Sequence, residues 1–232
     1  MSINSDTLFQ ICKNIPSGDI YKCLQLNMIL SKGLFSQIWY YKVSKLDDNY
    51  MEIFKKDSYY ETYKIYCELL KLKNTFELRE TVKGLYNSKI LALQNNELTS
   101  IPSEIGNLTN LQFLDLNNNK LITIPPWIGN LTNLRFLKLN NNKLITIPSE
   151  IGNLINLKYL YLKNNELIII PSQISNLTNL QELDLQNNKI ETIPSELDNL
   201  TNLLVLDLDN GMTIPSEINL LNNLKKFIYI QQ

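Results

Sequence analysis

Thiols, recurring carboxylates and a set of Asn-Leu-Thr triplets are the residues of this chain whose types could do chemistry. The thiols are Cys12, Cys23 and Cys67. They lie in apolar surroundings, their number is odd and no CxxC pairs them, so they read as buried reduced thiols rather than a disulfide framework or zinc knuckle. There is no histidine. That takes away the usual activating base for a Ser or Cys nucleophile, imidazole metal ligands and a histidine pH switch. The seven glycines form neither GxGxxG nor GxxxxGK[ST], so no phosphate-cradling loop is expected. Glu104, Glu150, Glu196 and Glu217 each follow Pro-Ser. An acidic group there suits the positive end of a helix start and should face solvent. The triplets at Asn107, Asn130, Asn176 and Asn199 are formal glycosylation acceptors, but each falls at the same point of a longer pattern and reads as structure. The expectation is a protein that is not an enzyme, with no catalytic residue, no metal and no cofactor.

That longer pattern organises most of the chain. Residues 111–133, 134–156, 157–179 and 180–202 are consecutive 23-residue units of the form LxxLxLxxNxLxxIPxxIxxLxN. Residues 88–110 are the same unit with Ser88 in place of the first Leu, and 203–223 are the unit shortened by two. A further unit begins at Leu224 and stops. The composition follows from it: 42 Leu, 28 Ile and 32 Asn in 232 residues. This motif resembles the leucine-rich repeat, in its 23-residue type with a Pro after the strand. The fold expected is α/β: a leucine-rich-repeat solenoid, a short open horseshoe with a parallel concave sheet, over residues 84–232, with a small N-terminal α-helical domain.

The unit can also be read physically. LxL is a short strand with alternating faces, so Leu111, Leu114 and Leu116 point inward, and Ile124, Ile128 and Leu131 close the core from the returning half. One unit cannot bury this ring alone and must stack on its neighbours. Strands are expected to begin near Ile90, Phe113, Phe136, Tyr159, Glu182, Val205 and Lys226. Asn96, Asn119, Asn142, Asn165 and Asn188 form one column where the strand turns. Directed inward, each amide can serve the loop backbone of its own and the neighbouring repeat, groups that would cost about 1–3 kcal/mol each if unpaired. The shortened sixth unit puts Gly211 in this column, so the ladder should end there. Asn141, beside it, should point to solvent, and its loss should matter by less than about 0.5 kcal/mol. Pro102, Pro125, Pro148, Pro171, Pro194 and Pro215 fix φ where the chain leaves each strand.

Between the core leucines each strand exposes two side chains on the concave face. One column is Ile90, Phe113, Phe136, Tyr159, Glu182, Val205 and Lys226. The other is Ala92, Asp115, Lys138, Tyr161, Asp184, Asp207 and Ile228. Phe113, Phe136, Tyr159 and Tyr161 should form an exposed aromatic patch, with Asp115 and Lys138 as polar rim and an acidic zone at Glu182, Asp184 and Asp207. Such a patch marks a protein-binding site; a ladder that only stabilises the sheet is the other reading.

The first eighty residues lack the period. Leu8, Ile11, Cys12 and Ile15 make an apolar helical stripe after Ser5, broken by Pro16-Ser17-Gly18. Ile20, Cys23, Leu24 and Asn27 repeat the spacing, and Phe35, Ile38 and Trp39 start a third helix. A further helix is predicted over 58–73, with Tyr59, Tyr63, Tyr66 and Leu70 on one face and Tyr60, Tyr63, Cys67 and Leu70 on the adjoining one. Residues 1–45, with Pro16 through Asp19-Ile20, Cys23 to Leu30 and Ile38-Trp39, resemble an F-box; Ile3-Asn4 stands where that family opens with Leu-Pro. The resemblance implies docking, through Leu8, Ile11, Ile15, Ile20, Leu24 and Trp39, on the Skp-type adaptor of a cullin-based ubiquitin ligase. Residues 46–83 would be linker and N-terminal cap. The Asn- and Ile-rich whole is similar to F-box and repeat proteins of amoeba-infecting giant viruses.

Net charge is −1, without the basic excess of a nucleic-acid binder. The N-terminus has no basic region followed by an apolar run, and no stretch approaches a membrane span. The expectation is an intracellular, cytoplasmic protein (host cytoplasm if viral) with protein partners, no nucleic acid and no membrane. Its function would be substrate recognition for the ligase, the target lying on the concave face. The alternative is a stand-alone repeat scaffold or decoy whose N-terminal helices only cap the solenoid.

Overall fold

The computed structural model describes residues 59–209, 212–215, 224 and 226–228. Two compact units divide the chain, Met1–Tyr86 and Asn87–Gln232. The expected helices over Leu8–Ile15, Ile20–Leu30 and Ile38–Trp39, with Cys12 and Cys23, lie outside the described residues.

In the first unit, helix α1 spans Tyr59–Thr75 and α2 spans Val82–Tyr86. The buried stripe of α1 is Ile65, Leu69 and Leu72, at i, i+4 and i+7, the spacing that sets one side of a helix against its surroundings. Of the face expected from the sequence, Tyr66 and Cys67 are half-buried and Leu70 is exposed; the side chains of Tyr59, Tyr60 and Tyr63 lie outside the described residues. Cys67 forms no disulfide.

The second unit is a parallel sheet of seven strands in sequence order: β1 Ile90–Ala92, β2 Phe113–Asp115, β3 Phe136–Lys138, β4 Tyr159–Tyr161, β5 Glu182–Asp184, β6 Val205–Asp207 and β7 Lys226–Ile228. Each begins at the residue expected. Register steps by one repeat, Ile90 with Phe113 and so on to Val205, and by the shortened repeat to Lys226. In β2 to β5 the middle leucine is buried and the flanking residues half-buried. The core is the leucine and isoleucine of the motif: Leu111, Leu114, Leu116, Ile128 and Leu131 have no exposed surface, and neither do Leu134, Leu137 and Leu139 one unit later.

The returning segments are 3-10 helices of five residues: Ser103–Asn107, Pro126–Asn130, Ser149–Asn153, Ser172–Asn176 and Ser195–Asn199. The Pro before each has φ between −57° and −72°. Its carbonyl accepts the N–H three residues on, as Pro148 does from Ile151 at 3.1 Å, which closes the first turn of each segment. Glu104 and Glu150 are half-buried there, not fully solvent-facing as expected, while Glu196 is exposed; Ser149 Oγ donates to Glu150 Oε2 at 3.1 Å. These segments pack closely. A Cβ on Gly152 would meet the Gln173 carbonyl oxygen at 2.5 Å, which explains a glycine at that point.

Asparagines stitch the units. Asn142 Nδ2 donates to Leu116 O and Leu139 O, both at 3.0 Å, and its Oδ1 accepts the Leu121 N–H at 3.1 Å. Asn119, Asn165 and Asn188 repeat the arrangement. Asn96 does not: it is exposed, and its amide donates only to Gln94 O at 3.1 Å. After Asn188 no further asparagine of the column is described, Gly211 lying outside the described residues, but a carboxylate serves this turn. The Asp209 carboxylate accepts the Asn187 and Asn188 N–H groups at 2.6 and 2.8 Å. The deletion brings this carboxylate to the turn, and it does the accepting half of the asparagine's work. On the returning side, Asn133, Asn156, Asn179 and Asn202 each donate to a carbonyl of the preceding unit at 2.7–2.9 Å.

Asn141 is exposed, as expected, but it is not idle. It holds φ 58°, and Asn118, Asn164 and Asn187 hold 55–57°; their side chains chain together, Asn141 Nδ2 donating to Asn118 Oδ1 at 2.6 Å and Asn187 Nδ2 to Asn164 Oδ1 at 2.6 Å. Left-handed backbone costs most L-residues about 1–2 kcal/mol and asparagine less. Asn141→Ala should therefore destabilise by about 1 kcal/mol, while Asn141→Gly stays close to wild type; chemical denaturation of both separates backbone strain from the lost side-chain bond.

Candidate functional site

The concave face is set by the alternation of each strand: with the middle leucine turned into the core, the residues on either side turn out together. Sheet register then aligns Phe113, Phe136 and Tyr159 on neighbouring strands. The rings touch. Phe136 and Tyr159 stack with centroids 4.4 Å apart and planes 6° from parallel, and Phe113 and Phe136 lie 5.8 Å apart at 42°. All three are half-buried, not freely exposed as the alternation alone suggested, because each ring covers its neighbour's face. Tyr159 Oη donates to Gln181 Oε1 at 3.1 Å, which holds the end of the row.

The second column runs Asp115, Lys138, Tyr161, Asp184 and Asp207. Lys138 is more than rim. Its Nζ sits 5.2 Å from the Phe113 centroid and 3.9 Å from Asp115 Oδ2, a cation over a ring and beside a carboxylate at once. Burial, followed by the neighbouring Glu182 charge, pushes the Tyr161 phenol up to about 12. Burial likewise raises the Asp184 carboxyl, helped by the Asp207 charge and opposed by the Gln186 N–H that Asp184 Oδ1 accepts at 3.0 Å. Sequence reasoning named Asp184 among the binding residues and left Asp207 in the background; Asp207 is the more buried, at 9% exposure. Its place beside Asp184 was readable from the period, its burial was not.

Among the described residues no group of three or more His, Cys, Asp or Glu could hold a metal ion, and no helix is long and apolar enough to cross a membrane. What the face offers is a stacked apolar strip, one cation and four carboxylates over six adjacent strands.

The leucine-rich repeat region family matches residues 66–157 and 146–231, well over half the chain. The chain belongs to the leucine-rich repeat family. No curated protein matches it. Among solved structures, this leucine-rich-repeat chain is similar to the plant peptide hormone receptor RGFR1 in complex with RGF2, at 38% identity and a TM-score of 0.54, over 61% of this chain and 24% of that one. It is similar at 33% identity and a TM-score of 0.53 to the Arabidopsis receptor kinase HAESA in complex with the peptide hormone IDA and the co-receptor SERK1, over 62% and 26%. The functional domain of InlJ from Listeria monocytogenes shares the fold at 23% identity and a TM-score of 0.56, over 63% and 31%. The chain thus spans about a quarter to a third of the length of these structures.

Proposed function

We propose that this leucine-rich-repeat protein is a non-enzymatic interaction protein that holds a target protein on its concave face. Phe113, Phe136 and Tyr159 are the apolar centre, and Asp115, Lys138, Tyr161 and Asp184 the polar surround. The observation that carries this reading is the unbroken ring row across β2, β3 and β4, on the face away from the buried leucines. Aromatic side chains beside charged groups are the usual anchors of protein interfaces. Two of the similar repeat structures, RGFR1 and HAESA, were solved with a peptide hormone.

Within this reading, the F-box resemblance of residues 1–45 makes the protein a substrate-recognition adaptor of a cullin-based ubiquitin ligase, working in the cytoplasm. Leu8, Ile11, Ile15, Ile20, Leu24 and Trp39 would dock a Skp-type adaptor. A quantitative binding assay with purified adaptor tests it: full-length protein binds, Trp39→Ala and Leu24→Asp do not, and absence of binding by the full-length protein removes the ligase role. The rival is a stand-alone scaffold or decoy whose N-terminal helices cap the repeats. It is favoured by the family match beginning at residue 66, inside α1. On that reading residues 84–232 alone precipitate or unfold, because a terminal repeat needs a polar cover.

A further inference from the structure

The concave carboxylates differ in what meets them. Asp115 has Lys138 as its ion partner and accepts the Asn117 N–H at 3.0 Å. At the other end, no ion pair among the described residues reaches Glu182, Asp184 or Asp207. The nearby Lys163 is held by Gln186 Oε1 at 2.7 Å. Asp207 stands out among them: nine-tenths buried, with an Oδ1 that is closed to solvent and hydrogen-bonded to nothing. A buried carboxylate oxygen without a partner is costly and rare. The β5–β6 register sets Asp207 directly beside Asp184, and the β4–β5 register sets Tyr161 on the other side of Asp184.

Three adjacent strands therefore present a phenol ring and two carboxylates in one row, at a strand spacing of about 4.8 Å. Two carboxylates so spaced meet two edges of a planar guanidinium, whose five N–H donors spread in a fixed fork, and a flat ring beside them suits its face. An ammonium, a compact point charge, would use one carboxylate and leave the other. We propose that this end of the concave face is a seat for an arginine side chain of the bound protein, gripped by Asp184 and Asp207 against Tyr161. This deepens the protein-binding reading above and rests on it. The seat fits a partner surface that presents an arginine two or three strand spacings from an apolar group lying on the Phe136–Tyr159 stack.

The test uses full-length protein, amide NMR and three probes: N-acetyl-arginine amide, its neutral isostere N-acetyl-citrulline amide, and N-acetyl-lysine amide. The arginine probe should give saturable shifts centred on Tyr161, Asp184 and Asp207, and Asp207→Asn should weaken it by about tenfold or more. The same substitution should not lower the thermal midpoint, because Asp207 Oδ1 makes no hydrogen bond that could be lost, so that lost binding is not lost folding. An equal response to citrulline, no saturable response to arginine, or unchanged affinity in Asp207→Asn overturns the seat; equal affinity for the lysine probe overturns the guanidinium assignment. The two readings fail separately. A protein partner whose binding falls in Phe136→Ala but not in Asp207→Asn leaves the concave site standing and removes the arginine seat. Arginine binding with no effect of Phe136→Ala on any partner does the reverse.

Discussion

Asn142→Ala unfolds with about 1–3 kcal/mol less free energy than the wild type, measured by chemical denaturation. The size follows from what one amide holds. Its loss strands the Leu121 N–H, now held at 3.1 Å, and removes one of two donors from the Leu116 and Leu139 carbonyls, which keep Asn119 and Asn165 Nδ2 at 3.0 Å. Asn142 is only 8% exposed, so water does not simply replace it, and each stranded buried group costs about 1–3 kcal/mol. Asn96→Ala is the internal control. Asn96 is exposed and serves one carbonyl, so its replacement should cost less than about 0.5 kcal/mol. Equal losses at the two positions would show that the ladder does not hold the stack.

Phe136→Ala combined with Tyr161→Ala weakens target binding by about 2 kcal/mol or more, close to thirtyfold, in a titration against a protein partner that co-purifies with the full-length chain. The sequence suggests that folding would hardly notice, since the core leucines point away. The structure changes that expectation. Phe136 stacks on Tyr159 at 4.4 Å and leans on Phe113, and a stacked pair contributes about 0.5–1.5 kcal/mol beyond its burial. The thermal midpoint should therefore fall modestly while affinity falls sharply. Charge reversal at Glu150, on a returning segment, should leave affinity unchanged. Full affinity in the double variant would move the site off the concave face.

The strand starts were legible because a 23-residue period fixes them: once LxL is a strand in one unit it is a strand in all, and the concave columns follow by counting. The three asparagines of the Asn117–Asn118–Asn119 run show where counting stops. The motif singles out Asn119, buried between two repeats, but not what its neighbours do: Asn117 accepts the Asn140 N–H and Asn118 holds φ 55°. Those two tasks depend on the backbone dihedral, which no side-chain pattern encodes. Asp209 was missed for a related reason. The deletion shifts the chain against the column, so the residue that does the work is not the one counting assigns. Side-chain burial on the concave face was hidden too, since alternation says which way Phe136 points but not that Tyr159 lies flat against it. On α1 the sequence placed Leu70 on the packed face, whereas Leu70 is exposed and Ile65, Leu69 and Leu72 went inside.

The side-chain bonds of the asparagine columns that cross a unit boundary join residues 21 to 26 positions apart, never more than one unit away. A gene that duplicates one unit, by unequal exchange between its own near-identical copies, therefore inserts a segment whose every bond is already specified by its neighbours. The protein grows by one strand and two concave residues, and nothing else has to be rewritten. Copy number becomes a heritable dial on the width of the binding face, while point changes at the two outward positions of each strand choose what it grips.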